Sequence, residues 1–338
     1  MIKNKKINVY LIIVIIIFAL VLYFTLKDDY YNIINTLSTI NIFYLIVGIL
    51  FVFLSKYFIA ETTYLLAKKE KNKVSRSKML EICLIYPFFA GITPSSVGGE
   101  SFEIFYLKQI GLPYGKASNI VIQKFILYQL SLIIVNILAV ILNIFTNIIP
   151  NNSFVNVSVG ISFIVNIIGL GFFYLLAYNK KFNHFIMKKG LLFLHKIKII
   201  KNITKTREKV DSYLANFDDG VDKLRKDRKL FIKLIGINIL SFLFFYLSIW
   251  PLALSISIDH ISIINLFILV SYVRMMSLLI VTPGNSGAAE YCFIYLFQQL
   301  LQESVIITYM LVWRLVTYYL PLIVGGIIAI LWGRSKKA

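Results

Sequence analysis

Residue types that usually carry chemistry are scarce in this chain. Its 338 residues include two cysteines, Cys83 and Cys292, and three histidines, His184, His195 and His260. The cysteines lie far apart in apolar segments, which excludes a disulfide framework, and none of the five has metal-ligand spacing. No phosphate-cradling glycine loop, nucleotide motif or Ser/His/Asp set is visible, so no cofactor is expected. Short alternating strands with turn signals are missing too, which excludes a membrane β-barrel. Acid is sparse, 16 Asp and Glu against 35 Lys and Arg, a formal charge of +19. Those cations are not interleaved with exposed aromatics as in a nucleic-acid surface, so nucleic acid is not an expected partner.

What the chain has in excess is apolar sequence, 59% of residues, where a soluble domain has roughly half. The excess is blocked. Residues 8–26, 40–60, 118–144, 154–178, 231–254, 263–281 and 305–332 are each long enough to cross a hydrocarbon core of about 30 Å as helix. Backbone groups in lipid must be satisfied within a segment, so the fold class is all-α, a polytopic membrane helix bundle forming one membrane domain over 1–338. The first run is too long for a signal peptide and is followed by Lys27, Asp28 and Asp29, so it reads as an uncleaved helix.

Loop charge sets the topology. Lys3, Lys5 and Lys6 put the N-terminus in the cytoplasm of a cell membrane; 61–78, with Lys68, Lys69, Lys71, Lys73, Arg76 and Lys78, is inside, as are 179–230 and the tail GRSKKA, so both termini are cytoplasmic. The stretches 27–39, 147–153 and 255–262 fit outside. Residues 79–117 must then begin and end inside, and 263–304 begin and end outside, so each goes in and comes back.

These two returning stretches are alike. GITPSSVGGESFEIFYLKQIG at 91–111 and VTPGNSGAAEYCFIYLFQQL at 281–300 each carry Thr-Pro, small residues, a glutamate and an aromatic-rich helix. Glu100 and Glu290 are each followed 24 residues later by a cation, Lys124 and Arg314. Three crossings separate the copies, so the second is inverted, with repeat units at 79–144 and 263–332. Inverted repeats with broken helices meeting near the midplane are a transporter architecture.

The chemistry follows from residue type. Pro94 and Pro283 break helices. Gly98, Gly99, Gly284 and Gly287 permit unusual dihedrals and close backbone approach, and with Thr93 and Thr282 they build turns after which new helices start. A helix N-terminus in low dielectric is an anion site, and the natural anion in a bilayer is a lipid phosphate. Charges inside apolar runs are costly and are functional candidates: Lys56, Glu100, Glu103, Lys124, Arg274, Glu290 and Arg314. Glu100 and Glu290 are expected to orient the cations or cap the turns, while Lys124, Arg274 and Arg314 meet an anionic headgroup. Glu100–Lys124 and Glu290–Arg314 read equally as structural ion pairs. Lys56 is expected to snorkel to the cytoplasmic interface, and Glu103 to face it. The charged part of the 179–230 connector puts Val210, Leu214, Phe217 and Val221 on one helical face, the pattern of an amphipathic hairpin.

At these residues the chain resembles the flippase-like family that includes the membrane half of lysylphosphatidylglycerol synthases. The resemblance rests on Thr93-Pro94 through Gly98-Gly99-Glu100, on Thr282-Pro283-Gly284 through Gly287 and Glu290, and on Arg314 with Pro321 and Gly325. Ser95-Ser96 stands where glycine is usual, Lys124 where arginine is usual, and Ala288-Ala289 replaces a bulkier pair. The resemblance implies a lipid translocase. In the full-length synthases this half moves aminoacylated phosphatidylglycerol outward, and a separate cytosolic domain makes it. Here a synthase domain is expected to be absent, so a separate lipid-modifying synthase is an implied partner beside the phospholipid itself, and other members point to polyprenol-linked cargo. The competing readings are a membrane-embedded transferase, of the phosphatidylglycerol lysyltransferase kind, using Glu100 or Glu290 as base, and a non-catalytic subunit of envelope assembly. Self-association is compatible with all three.

Overall fold

The computed structural model describes residues 38, 40–71, 73–91, 93, 97–149, 151–196, 203–280 and 287–335. The apolar run 8–26 and the charges around it lie outside these residues. The described residues are helices joined by short connections, with no strand among them. They form a multi-pass membrane helix bundle in which five helices are long and apolar enough to cross a bilayer.

The first is α1, Ile42–Glu70, begun by Asn41, whose side chain accepts from the Phe43 amide. It runs ten residues beyond the apolar stretch 40–60 and ends on Lys68 and Lys69, cations that suit the negative end of a helix dipole. Next come two short helices, α2 (Arg76–Gly91) and α3 (Val97–Gln109). A long pair follows, α4 (Tyr114–Thr146) and α5 (Ser153–Tyr178). The connector forms α6 (Lys180–Lys196) and α7 (Ile203–Arg225). The span 228–255 is two helices meeting at Ser248, α8 (Arg228–Leu247) and α9 (Ile249–Ser255). Two more short helices, α10 (Ile263–Ser277) and α11 (Ala288–Phe297), precede the last span. That span is α12 (Glu303–Arg314), a π-helical segment Leu315–Tyr319, and α13 (Leu320–Ser335).

Length separates spans from hairpins. The stretch 263–281 looks long enough to cross, but its helix has 15 residues, about 22 Å of rise, too short for a 30 Å core. The other short helices have 16, 13 and 10 residues. Each pair packs together as a hairpin. The first opens at the end of the bundle where the Lys71 ammonium donates to the Ile110 carbonyl at 2.7 Å and Lys69 pairs with Asp227. The second opens at the opposite end. There the Asn152 amide donates to the Tyr295 hydroxyl at 3.0 Å, and the Asn41 amide donates to the Ser255 carbonyl at 2.7 Å. Three long spans separate the hairpins in sequence, so the polarity of the chain alone requires this inversion.

Each hairpin sits in its own apolar cluster. Around the first, Met79, Ile82, Ile85, Phe102 and Leu107 pack with Leu66, Ile120 and Leu127. Around the second, Leu266, Leu269, Val273, Phe293 and Phe297 pack with Val52, Leu132 and Tyr309. Outward faces of the long spans carry large apolar residues, such as Ile164, Val165, Ile168 and Phe172 of α5, as lipid contact requires.

Candidate functional site

The first hairpin is closed by one side chain. The Thr93 hydroxyl donates to the Phe89 carbonyl at 2.8 Å and accepts from the Gly98 amide at 2.9 Å. It thereby satisfies a free amide at the start of α3 and ties that start to the end of α2. Gly98 and Gly99 lie within the first turn of α3, and neither has positive φ. They serve close approach instead: a Cβ on Gly98 would lie 2.6 Å from the Phe89 carbonyl, and one on Gly99 2.5 Å from the Tyr86 ring. Pro94 lies outside the described residues.

The second hairpin is closed by a carboxylate. Gly287 has φ +84°, a conformation that favours glycine. Its amide donates to Glu290 Oε2 at 2.7 Å, and Arg314 Nε donates to Glu290 Oε1 at 2.7 Å. Glu290 therefore caps the helix and holds the cation, and both side chains are over nine-tenths buried. Arg314 also lies 4.4 Å from the Tyr318 ring centre. A Cβ on Gly91, at the end of α2, would lie 3.3 Å from the Tyr318 hydroxyl, so this residue joins the second ion pair to the first hairpin. The intervening π segment is the kind of helix irregularity often found at functional sites. Thr282, Pro283 and Gly284 lie outside the described residues.

The matched pair in the first repeat is not the one the spacing implies. Lys124 pairs with Glu103, not Glu100. Glu290 is the third residue of its helix and Glu100 the fourth, and one residue is about 100° of helical turn. Glu100 instead accepts from the Tyr86 hydroxyl at 2.6 Å. Glu103 does not face an interface. Its side chain is wholly buried, with the Thr63 hydroxyl donating to it at 3.4 Å.

Lys56 also departs from expectation. It is fourteen residues from either end of α1, about 21 Å of rise, too deep for its side chain to reach an interface. It faces Arg274 and Lys124 electrostatically. Arg274, in the last turn of α10, donates to the Tyr128 hydroxyl at 2.7 Å. Its Nε is buried without a partner among the described residues. Tyr128 is one helical turn beyond Lys124 on α4, and Lys124 lies 5.2 Å from the Tyr86 ring centre. The fold therefore brings Lys124 of the first repeat and Arg274 of the second into one region, with Glu103 and Glu100 as the nearby acids. Arg314 sits apart, with its own carboxylate and its aromatic rings. Sequence reasoning missed Tyr86 and Tyr128; the four-residue step from Lys124 to Tyr128 was the available signal.

At the end where the first hairpin opens, the connector docks on α4. Leu214, Phe217, Val221 and Leu224 are buried, and a Cβ on Gly115 would lie 2.3 Å from the Tyr213 carbonyl. Lys116 and Lys223 both reach Glu70 and Asp219. The hydrogen bond from Lys223 holds the Asp219 carboxyl below its usual range; desolvation opposes it, and a weaker contribution from the Lys116 hydrogen bond adds to the lowering.

Residues 11–325 match the family described as lysylphosphatidylglycerol synthase TM region. A curated relative, described as a UPF0104 membrane protein of Archaeoglobus fulgidus, is 27% identical over 266 residues, 75% of this chain and 76% of the relative.

Proposed function

The chain belongs to the family of the lysylphosphatidylglycerol synthase TM region, and from that premise we propose that it is a lipid translocase. It moves an anionic or aminoacylated phospholipid of phosphatidylglycerol type, or a polyprenyl-linked lipid, between leaflets. The observation that carries this reading is Arg274, a guanidinium deep in the bundle, bound to the Tyr128 hydroxyl, with an Nε that has no partner among the described residues and Lys56 near it. An uncompensated cation at bilayer depth is costly. A headgroup phosphate supplies the missing charge and takes bidentate hydrogen bonds from arginine. Lys124, held by Glu103, presents a second cation.

The two hairpins supply the path. They enter from opposite ends, and the last span links them, with Arg314 on Glu290 of the second and Tyr318 against Gly91 of the first, so a small rocking of one against the other opens the region to alternate leaflets. The end carrying Lys69, Lys71, Arg76, Lys116 and Lys223 faces the cytoplasm of a cell membrane by the positive-inside rule.

The test is reconstitution in vesicles holding fluorescent phosphatidylglycerol, with the outer leaflet quenched chemically. Arg274→Gln and Lys124→Gln are expected to slow exchange at least about tenfold each, the effect of losing one charge-assisted contact. Wild-type rates in the double variant refute the reading.

A further inference from the structure

We infer that Lys56 of α1 is a third cation of the headgroup site, which makes that site asymmetric and places it beside the first hairpin. This rests on the translocase reading above and goes beyond it, because α1 belongs to neither repeat.

The placement is carried by packing. Ser55, next to Lys56, shares a hydrogen bond of 3.0 Å with Ser241 of α8. One residue on, Phe242 lies 4.6 Å, ring centre to ring centre, from Tyr128, the phenol that binds Arg274. One turn further, Phe245 lies 5.5 Å from the Arg274 guanidinium. So α8 holds Lys56 and Arg274 within about one helical turn of the same depth, and α4, which packs on α1 and bears Tyr128, carries Lys124 one turn earlier. Lys56 has no hydrogen bond or ion pair to any described residue.

The charges do not balance. Lys56, Lys124 and Arg274 stand against Glu103 and Glu100, and Glu103 is committed to Lys124. One positive charge is left over at a depth where charge is expensive. The unused donors are the Lys56 ammonium and Arg274 Nε, and the Tyr128 hydroxyl, which accepts from Arg274, keeps its proton to give. A group that accepts several hydrogen bonds and carries one negative charge completes this set, and a phosphodiester has both properties. The pseudo-equivalent place at Arg314 differs, since its carboxylate sits at 2.7 Å and three aromatic rings lie within 5.9 Å.

The test uses the full chain purified in neutral detergent, with thermal unfolding read with and without added phosphatidylglycerol, phosphatidylcholine or inorganic phosphate. Wild type is expected to gain stability from phosphatidylglycerol and none from phosphate. Lys56→Met is expected to unfold at or above the wild-type temperature without lipid, because it removes an unpaired charge, and to lose most of the phosphatidylglycerol gain, with apparent affinity reduced about tenfold or more. Lys56→Arg is expected to keep the gain. A purely structural lysine gives the opposite pattern, lower basal stability and an intact lipid gain. If Lys56→Met keeps the full gain while Lys124→Met and Arg274→Met lose it, this inference falls and the translocase reading stands. If all three keep it, or if inorganic phosphate alone gives the gain, the reading falls with it.

Discussion

Replacing Glu103 by glutamine isolates the energetics of the first hairpin. The Glu103 side chain is wholly buried and that of Lys124 is 12% exposed. Removing one partner of such a pair leaves the other charge without compensation, which costs about 3–5 kcal/mol. Here the remaining charge is joined by Lys56 and Arg274, so the upper part of that range is expected. Replacing Lys124 by methionine as well removes the orphaned cation. The double variant is expected within about 1–2 kcal/mol of wild type, giving a coupling of at least about 2 kcal/mol. Unfolding free energies can be measured for wild type, both single variants and the double variant by denaturing titration in mixed micelles, followed by tryptophan fluorescence. A Glu103→Gln loss below about 1 kcal/mol, or strictly additive single effects, refutes the argument, because either outcome means the two charges do not depend on each other.

Three further outcomes follow from other parts of the fold. Glu290→Ala is expected to cost about 3–5 kcal/mol in the same assay, because it removes both the cap on Gly287 and the partner of a buried guanidinium. Gly115→Leu is expected to push α7 off α4, since even a Cβ there meets the Tyr213 carbonyl at 2.3 Å. Faster tryptic cleavage at Arg225 and Lys226 measures this, with Gly160→Leu, where a Cβ meets nothing within 4 Å, as the silent control. Docking of α7 is also expected to weaken in acid. The Asp219 carboxyl sits below its usual range, and the largest cause, the hydrogen bond from Lys223, lies within α7 itself. Lys116 of α4, however, pairs with the same carboxylate at 3.4 Å only when α7 is docked, so that contact stabilises docking above the ordinary carboxyl range and is lost as pH falls through the lowered value. Amide hydrogen exchange in α7, corrected for the intrinsic pH dependence of exchange and read from pH 7 to pH 2, measures it, and unchanged protection across that range counts against it.

Much of the architecture was legible because lipid leaves few choices. A run such as 154–178 has to be helix, since its backbone groups have no other partner, and it is, over Ser153–Tyr178. The return of residues 79–117 followed from loop charge, and the contact between Lys71 and Ile110 closes that loop at one end. The Glu290–Arg314 pair was legible too, because cap and cation both follow from chain position. The Glu100–Lys124 pairing was not, since a one-residue difference in where the helix starts turns the carboxylate away by about 100°, and helix starts at broken segments are not readable to one residue.

Sequence alone determined that this is a bundle of apolar helices, that two stretches enter it and return, and that a few charges lie where charge is costly. Those are properties of single segments against a fixed solvent, and hydropathy and loop charge report them directly. Which charges meet was decided only by tertiary packing. Lys56 lies near the end of the apolar run 40–60, a position that reads as interfacial, but α1 runs on to Glu70 and so places it mid-helix; which groups it then meets depends on how α1 packs against α8 and α4. That depends in turn on contacts such as Ser55 with Ser241 and Phe242 with Tyr128, whose partners are more than a hundred residues apart. Electrostatic energy inside a bilayer varies steeply with distance and depth, so the character of the site was set by these contacts rather than by the list of charged residues.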